Sequence, residues 1–276
     1  MNQTLKSRNV HERDALIKFY QRGHKYEIIT DHKSKYTSVT TWNHKHFPKF
    51  DADAIIENIF KSKGWGPGHK YWPLTAEQIK ASWNVNRDAA AGSGTGLHER
   101  IENFMNNKCV ITHKELYENY KIENNGKTDE AIEWDYFINF VKDYPELTPY
   151  RTEWMIFDEE LKMAGSIDMV YENPDGTLSI YDWKRCKEII SVNNWNKFAT
   201  NSLISHIPDT NFWHYALQLN TYKAILERKY DKKVTKLCLV RLHPDTEEKT
   251  YELLEVPILT NEMDALFKER EKEVSL

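Results

Sequence analysis

Residues 163–184 read MAGSIDMVYENPDGTLSIYDWK, two runs of alternating apolar residues joined by Asn173-Pro174-Asp175-Gly176, a combination that favours a tight chain reversal. Successive side chains on a strand point to opposite faces. Leu178, Ile180, Asp182 and Lys184 therefore share one face, and Ser179, Tyr181 and Trp183 the other. A four-residue turn between residues 172 and 177, lengthened by a one-residue bulge at Gly176, sets Asp168 directly across from Asp182. Side chains so opposed have Cβ atoms about 4.5–5.5 Å apart, close enough for both carboxylates to share one cation and too close for two unpaired anions.

Working outward, Arg151–Phe157, Leu161–Tyr171 and Thr177–Lys184 read as three strands in consecutive hairpins. Downstream, Phe212–Lys229 has helical spacing, with Tyr215, Leu219, Tyr222 and Leu226 along one side. Two strands, Lys236–Leu242 and Tyr251–Val256, and a charged helix over Asn261–Glu273 complete the chain. Upstream, a helix is predicted over Asp129–Lys142, stopping near Pro145, and another starts near Thr95 after the glycine-rich residues 92–96. Leu97, Ile101, Phe104 and Met105 form the apolar stripe of that second helix, and His98 and Glu102 lie one turn apart on it. Helices over Asp51–Lys63 and Thr75–Ala91 flank a loop at 64–73. The first 50 residues read as a short helix around His11–Tyr20 and strands at Tyr26–Thr30 and Tyr36–Trp42. The division expected from this pattern is an N-terminal elaboration, 1–91, packed on a core of 92–276.

A chain of 276 residues with 40% apolar content can bury one substantial core. Its formal charge of −4 argues against a protein that coats nucleic acid nonspecifically, while leaving room for a local basic channel. Cys109, Cys186 and Cys238 form no C-x-x-C pair, so neither a zinc knuckle nor a four-cysteine cluster is supported. With no long apolar run and no apolar block of signal-peptide type in the first 20 residues, the expectation is a soluble, unexported protein of the cytoplasm or another reducing intracellular compartment.

Taken singly, Asp168 reads as the partner of a surface lysine, Asp182 as a strand-end acid and Lys184 as a rim residue. Jointly they match what phosphodiester hydrolysis requires. That reaction needs a nucleophilic water, neutralised nonbridging oxygens and a stabilised leaving alkoxide, all of which carboxylate-held Mg²⁺ or Mn²⁺ supplies. Lys184 would orient the water or help deprotonate it, a role that suits an ammonium responsive to its surroundings.

Gly165-Ser-Ile-Asp168, Asp182-Trp-Lys184, the preceding Gly94-Thr-Gly-Leu-His-Glu-Arg-Ile-Glu102 and the following Gln218-Leu-Asn-Thr-Tyr222 together resemble the PD-(D/E)xK nuclease superfamily. Within it the likeness is to RecB-type exonucleases, the group of the mitochondrial genome maintenance exonuclease. The resemblance spans about residues 82–243, with a weaker echo at Ser38-Val-Thr-Thr41. It implies an α/β fold with a restriction-endonuclease-like α-β-β-β-α-β core: a central mixed sheet flanked by helices, carrying the N-terminal helical elaboration. The implied activity is Mg²⁺- or Mn²⁺-dependent hydrolysis of single-stranded or free-ended DNA, leaving 5′-phosphates and using one or two ions; the oligomeric state stays open, with a monomer slightly favoured. An endonuclease of the same fold and a noncatalytic DNA-binding subunit are the alternatives.

The resemblance also implies roles. Asp168, Asp182, the Trp183 carbonyl and His98 would hold the metal, and Lys184 would serve the attacking water. Glu153 matches an acidic position ahead of the metal aspartate, reading either as a ligand to a second ion through water or as a salt-bridge partner of Arg151 or another base. Glu102 either orients His98 or is a solvated acid. Gln218 and Tyr222 would sit beside the site and help place Lys184 or the DNA backbone. For DNA contact, Lys184, Arg185 and Lys187 cluster after the catalytic strand, and Trp65, Lys70, Tyr71 and Trp72 populate the glycine-rich loop. Packing on the core is the favoured reading for Trp72, with Trp65 and Tyr71 left open. If the N-terminal segment arches over the site, a single strand would thread beneath it.

Overall fold

The computed structural model describes residues 4–106, 112–124, 131–193 and 196–275. The chain begins with α1 (Leu5–Arg8), a two-stranded ribbon β1 (Ile17–Tyr20) and β2 (Lys25–Ile28), and the short β3 (Thr37–Ser38). Helices α2 (Val39–His44), α3 (Ala52–Lys61), α4 (Ala76–Met105), α5 (His113–Asn124) and α6 (Ile132–Asp143) follow. Then come β4 (Thr148–Asp158), β5 (Met163–Glu172), β6 (Leu178–Lys184), α7 (Asn211–Lys229), β7 (Val234–Arg241), β8 (Glu252–Glu255) and α8 (Thr260–Ser275).

This is an α/β protein built on a mixed sheet. Antiparallel β4–β5 and β5–β6 pairs continue through a parallel β6–β7 pair to an antiparallel β7–β8 edge, and β3 pairs parallel to the start of β5. Leu178 and Ile180 face α7, α2 and α8 in one apolar cluster, whereas Tyr181 and Trp183 face α4, α5 and α6 in a second. The expected alternation along β6 is thus realised. A third, smaller cluster joins Ile17, Tyr26 and Ile28 of the ribbon to Tyr36, Phe157 and Ala164. No described helix is long and apolar enough to cross a membrane.

Several local expectations give way to competing interactions. The residues expected to form a helix around His11–Tyr20 make a single 3₁₀ turn, Glu12–Leu16, and then β1, which pairs with β2 through Ile17↔Ile28 to Tyr20↔Lys25. The strand expected at Tyr36–Trp42 is confined to Thr37–Ser38, because the Ser38 hydroxyl accepts from Thr41 N and starts α2. The break expected between Ala91 and Thr95 does not occur: α4 runs unbroken for 30 residues. Gly92, Gly94 and Gly96 face open space, and exposed helical glycine costs only about 1 kcal/mol each, less than the buried Ile79, Leu97, Ile101 and Met105 gain by holding the helix at both ends. Helix α5 has no counterpart in the sequence reading. Its signal was legible in Thr112-x-x-Glu115, whose side chains cap each other's backbone N–H at 3.1 and 3.4 Å. Cys109 and the expected helix start at Asp129 lie outside the described residues.

Candidate functional site

The 163–184 hairpin folds with the expected register. Gly176, at φ +79°, provides the left-handed bulge residue of the turn, whose backbone closes through Asn173 N to Thr177 O at 2.8 Å and Gly176 N to Asn173 O at 2.9 Å. The β5–β6 pairs run from Glu172↔Leu178 to Met169↔Tyr181, so the next opposed positions are Asp168 and Asp182. There the ladder ends. Trp183 N–H donates to Asp168 Oδ2 at 3.1 Å instead of to a backbone carbonyl, while β6 continues along β7 as far as Lys184↔Arg241. Since β4 occupies one edge of β5, β3 must pair with the same edge as β6, at Met163 and Ala164. Asp168 therefore lies where the sheet is open, between β3 and β6.

Glu153 stands across from Asp168 on β4, skipped by the ladder between Thr152↔Met169 and Trp154↔Ile167. Its φ of +43° lies in the left-handed region that non-glycine residues rarely occupy, a local strain that sets its carboxylate toward Asp168. The same irregularity shows on β5, where Ile167 packs in the first cluster and Met169 in the second. Ser166 Oγ donates to Glu153 Oε2 at 2.9 Å. Arg151, the alternative partner, instead binds Asp14 at 2.8 Å, deep in the protein. From α4, His98 Nε2 lies 2.9 Å from the Trp183 carbonyl and Nδ1 lies 3.4 Å from Asp168 Oδ2. Among the described residues, His98, Glu153 and Asp168 form a group whose ligand atoms all lie within 4.8 Å of one another. Asp182 falls outside that set.

Asp182 is 2% exposed, and Lys184 Nζ approaches its Oδ2 at 2.5 Å. The ammonium is the charged partner of that buried oxygen. The Lys184 ammonium also lies 4.3 Å from the centre of the Tyr215 ring on α7. Burial and the neighbouring Asp168 charge push the Asp182 carboxyl above its ordinary range, against the pull of Lys184. Burial and Asp168 likewise raise the Glu153 carboxyl. Burial works to lower the Lys184 amine, but Asp182 and Asp168 outweigh it and hold the amine above its usual value. Behind these groups, Gln218 Nε2 donates to the Tyr222 hydroxyl at 3.1 Å, and the Tyr222 ring lies against Gly165, where a Cβ would come within 2.7 Å of Cε1.

The remaining candidates are less convergent. Glu102 is raised by burial and by Glu99; it lines a cleft beside Glu153 and has no ion pair among the described residues, a partly buried acid rather than a freely solvated one. Arg185 is bound to Glu133 at 2.6 Å, and Lys187 is exposed, 3.8 Å from Asp245. The glycine-rich loop packs on its own arm: Trp65 meets Phe60 and Trp72, Lys70 lies over Tyr71, and the Tyr71 hydroxyl accepts from Trp83 Nε1 at 2.9 Å. Trp72 is 44% exposed rather than packed on the core, because its neighbours are these loop aromatics. Three contributors were not singled out from sequence. Gly165 and Ser166 were visible only as parts of Gly-Ser-Ile-Asp, and Tyr215, at i, i+3 and i+7 spacing with Gln218 and Tyr222, only as part of the helix stripe.

No protein-family model and no curated protein matches this sequence.

Proposed function

We propose that this chain is a metal-dependent deoxyribonuclease with a PD-(D/E)xK core, an exonuclease acting on single-stranded or free-ended DNA. The observation that carries the reading is the opposed Asp168–Asp182 pair at the opening of the sheet, with Lys184 against Asp182 and His98 against Asp168. The element order from α6 through β4, β5, β6 and α7 to β7 supports the same reading.

The residues fit a divalent cation. If the Nε2–H of neutral His98 donates to the Trp183 carbonyl, the Nδ1 lone pair faces a carboxylate oxygen, an arrangement that a cation resolves. His98, Asp168 and Glu153 would hold the ion, with Asp182 as a further oxygen donor, whereas the Trp183 carbonyl, bound by the opposite ring nitrogen of His98, would orient the imidazole rather than join the ligands; Mn²⁺ suits the imidazole better than Mg²⁺ does. When bound, such an ion neutralises phosphate charge and makes water more acidic.

The chain's own residues supply the rest. Lys184, held as a cation by two carboxylates, serves to fix a phosphate oxygen or the attacking water rather than to accept its proton. Tyr215 limits where that ammonium can move, and Gln218 orients the Tyr222 hydroxyl beside the acids. End-labelled single-stranded, duplex and circular DNA incubated with Mg²⁺, Mn²⁺ or chelator tests the proposal. Metal-dependent loss of linear but not circular substrate is expected; circular cleavage would make it an endonuclease, and binding without cutting a noncatalytic subunit.

A further inference from the structure

A cleft of about 510 Å³ opens beside the acid group, within the size range of small-molecule sites, about 300–1,000 Å³. Its floor is β4 and β5, where Glu153 and Ser166 belong both to the cleft and to the cluster around Asp168. The ribbon forms one wall. The half-buried Phe19 ring is braced by Tyr26 at 4.9 Å and by His24, edge-on, at 4.9 Å, and the partly exposed Met155 lies across the same space. Glu102 stands on the α4 wall and Lys6 at the exposed rim, neither with an ion pair among the described residues.

This combination selects for a particular shape and charge. Two carboxylates inside the cleft repel a phosphate but accept from N–H donors, while Phe19 and Met155 present apolar surface suited to a flat uncharged ring. Lys6 is the cation positioned at the mouth, where a backbone phosphate would remain in solvent. We propose that the cleft between the β1–β2 ribbon and the sheet receives the unpaired nucleobase next to the scissile phosphate, stacked on Phe19. The proposal rests on the nuclease reading and deepens it: a base paired in a duplex cannot enter, so the site takes single-stranded ends.

The test measures binding in chelator, where no cleavage occurs, using fluorescently labelled single strands that carry ordinary bases or abasic sites. Wild-type protein is expected to bind the base-bearing strand about 10-fold more tightly, as one aromatic stacking contact allows. Phe19→Leu, which keeps apolar bulk against Tyr26, should bring that ratio toward one, and Phe19→Trp should preserve it. As a measurement that needs no variant, a 2-aminopurine base in the strand should be quenched on binding wild-type protein. Equal affinity for both strands, no binding of either, or a ratio that survives in Phe19→Leu would overturn the base site. Metal-dependent cleavage without base discrimination removes the base site alone. Base-dependent binding without any metal-dependent cleavage supports the base site and removes the nuclease reading.

Discussion

Replacing Gly165 by alanine tests how tightly the site is braced from behind. The added Cβ would sit 2.7 Å from Tyr222 Cε1, 3.2 Å from Val39 Cγ2 and 3.3 Å from the Tyr222 hydroxyl, and Tyr222 is itself only 3% exposed. Forcing one carbon into such packing costs about 1–3 kcal/mol. The loss of backbone freedom in the unfolded chain returns about 0.4–1 kcal/mol, because Gly165 does not require a positive φ. The middle of each range leaves a net cost of about 1.3 kcal/mol, which should lower Tm by about 3–5 °C in differential scanning fluorimetry. Because the ring that must move also carries the hydroxyl bound by Gln218, DNA cleavage should fall by about 10-fold or more, the scale on which small misplacements act. In a Tyr222→Ala background the same substitution should cost little, since the colliding ring is gone. An unchanged Tm in Gly165→Ala would refute the wedge; a lowered Tm with full cleavage would refute a positioning role for Tyr222.

Lys184→Ala and Asp182→Asn should each abolish cleavage while circular dichroism remains that of the wild type; cutting that persists in either variant removes the assigned chemistry. His98→Ala should raise the Mn²⁺ concentration needed for half-maximal activity about 10- to 100-fold, the scale on which metal-site residues act, and a metal titration that overlays the wild type would exclude it as a ligand. Without metal, Glu153 and Asp182 keep their protons at pH values where the unfolded chain has released its own, so unfolding releases protons. Their contribution therefore weakens as pH rises from the ordinary carboxylate range toward their raised values, and Tm in chelator should fall over that interval. Because Mn²⁺ requires the deprotonated carboxylates, its stabilising shift should be larger at pH 8 than at pH 5, and smaller in Glu153→Gln; a shift equal at both pH values would count against these ligands.

Much of the central hairpin was legible because it depends on nearby residues. Asn173-Pro174-Asp175-Gly176 sets the turn, the single left-handed position at Gly176 sets the count, and the alternation of Leu178, Ile180 and Asp182 sets the faces, so the Asp168–Asp182 opposition follows from fewer than 20 residues. Helix α7 was legible for a similar reason, its stripe repeating over many turns. The continuity of α4 was not. Local chemistry at residues 92–96 favours a break, and the helix persists through anchors at its two ends, information carried by distant packing rather than by the glycines themselves.

The geometry around Glu153 marks the boundary of such reading most clearly. Its residue type and strand position were visible, and an ion pair with Arg151 or another base fitted them almost as well as a metal role. The choice depends on Asp14, a residue 137 positions from Arg151 in the chain, which claims the guanidinium and is itself fixed by Trp154 Nε1 at 3.0 Å. With that cation taken, Glu153 faces Asp168 with Ser166 as its side-chain donor among the described residues, on a backbone twisted to φ +43°. A carboxylate with no lysine or arginine partner among the described residues, raised by burial and held in strained backbone against a second acid, gains most from a bound cation. The buried Asp14–Arg151 pair is thus as much a part of the site's design as the acids themselves. Asp14→Asn should free Arg151 to compete for Glu153 and so weaken Mn²⁺ binding, measured by isothermal titration, without altering any residue of the cluster. Mn²⁺ affinity unchanged in a folded Asp14→Asn protein would break that link.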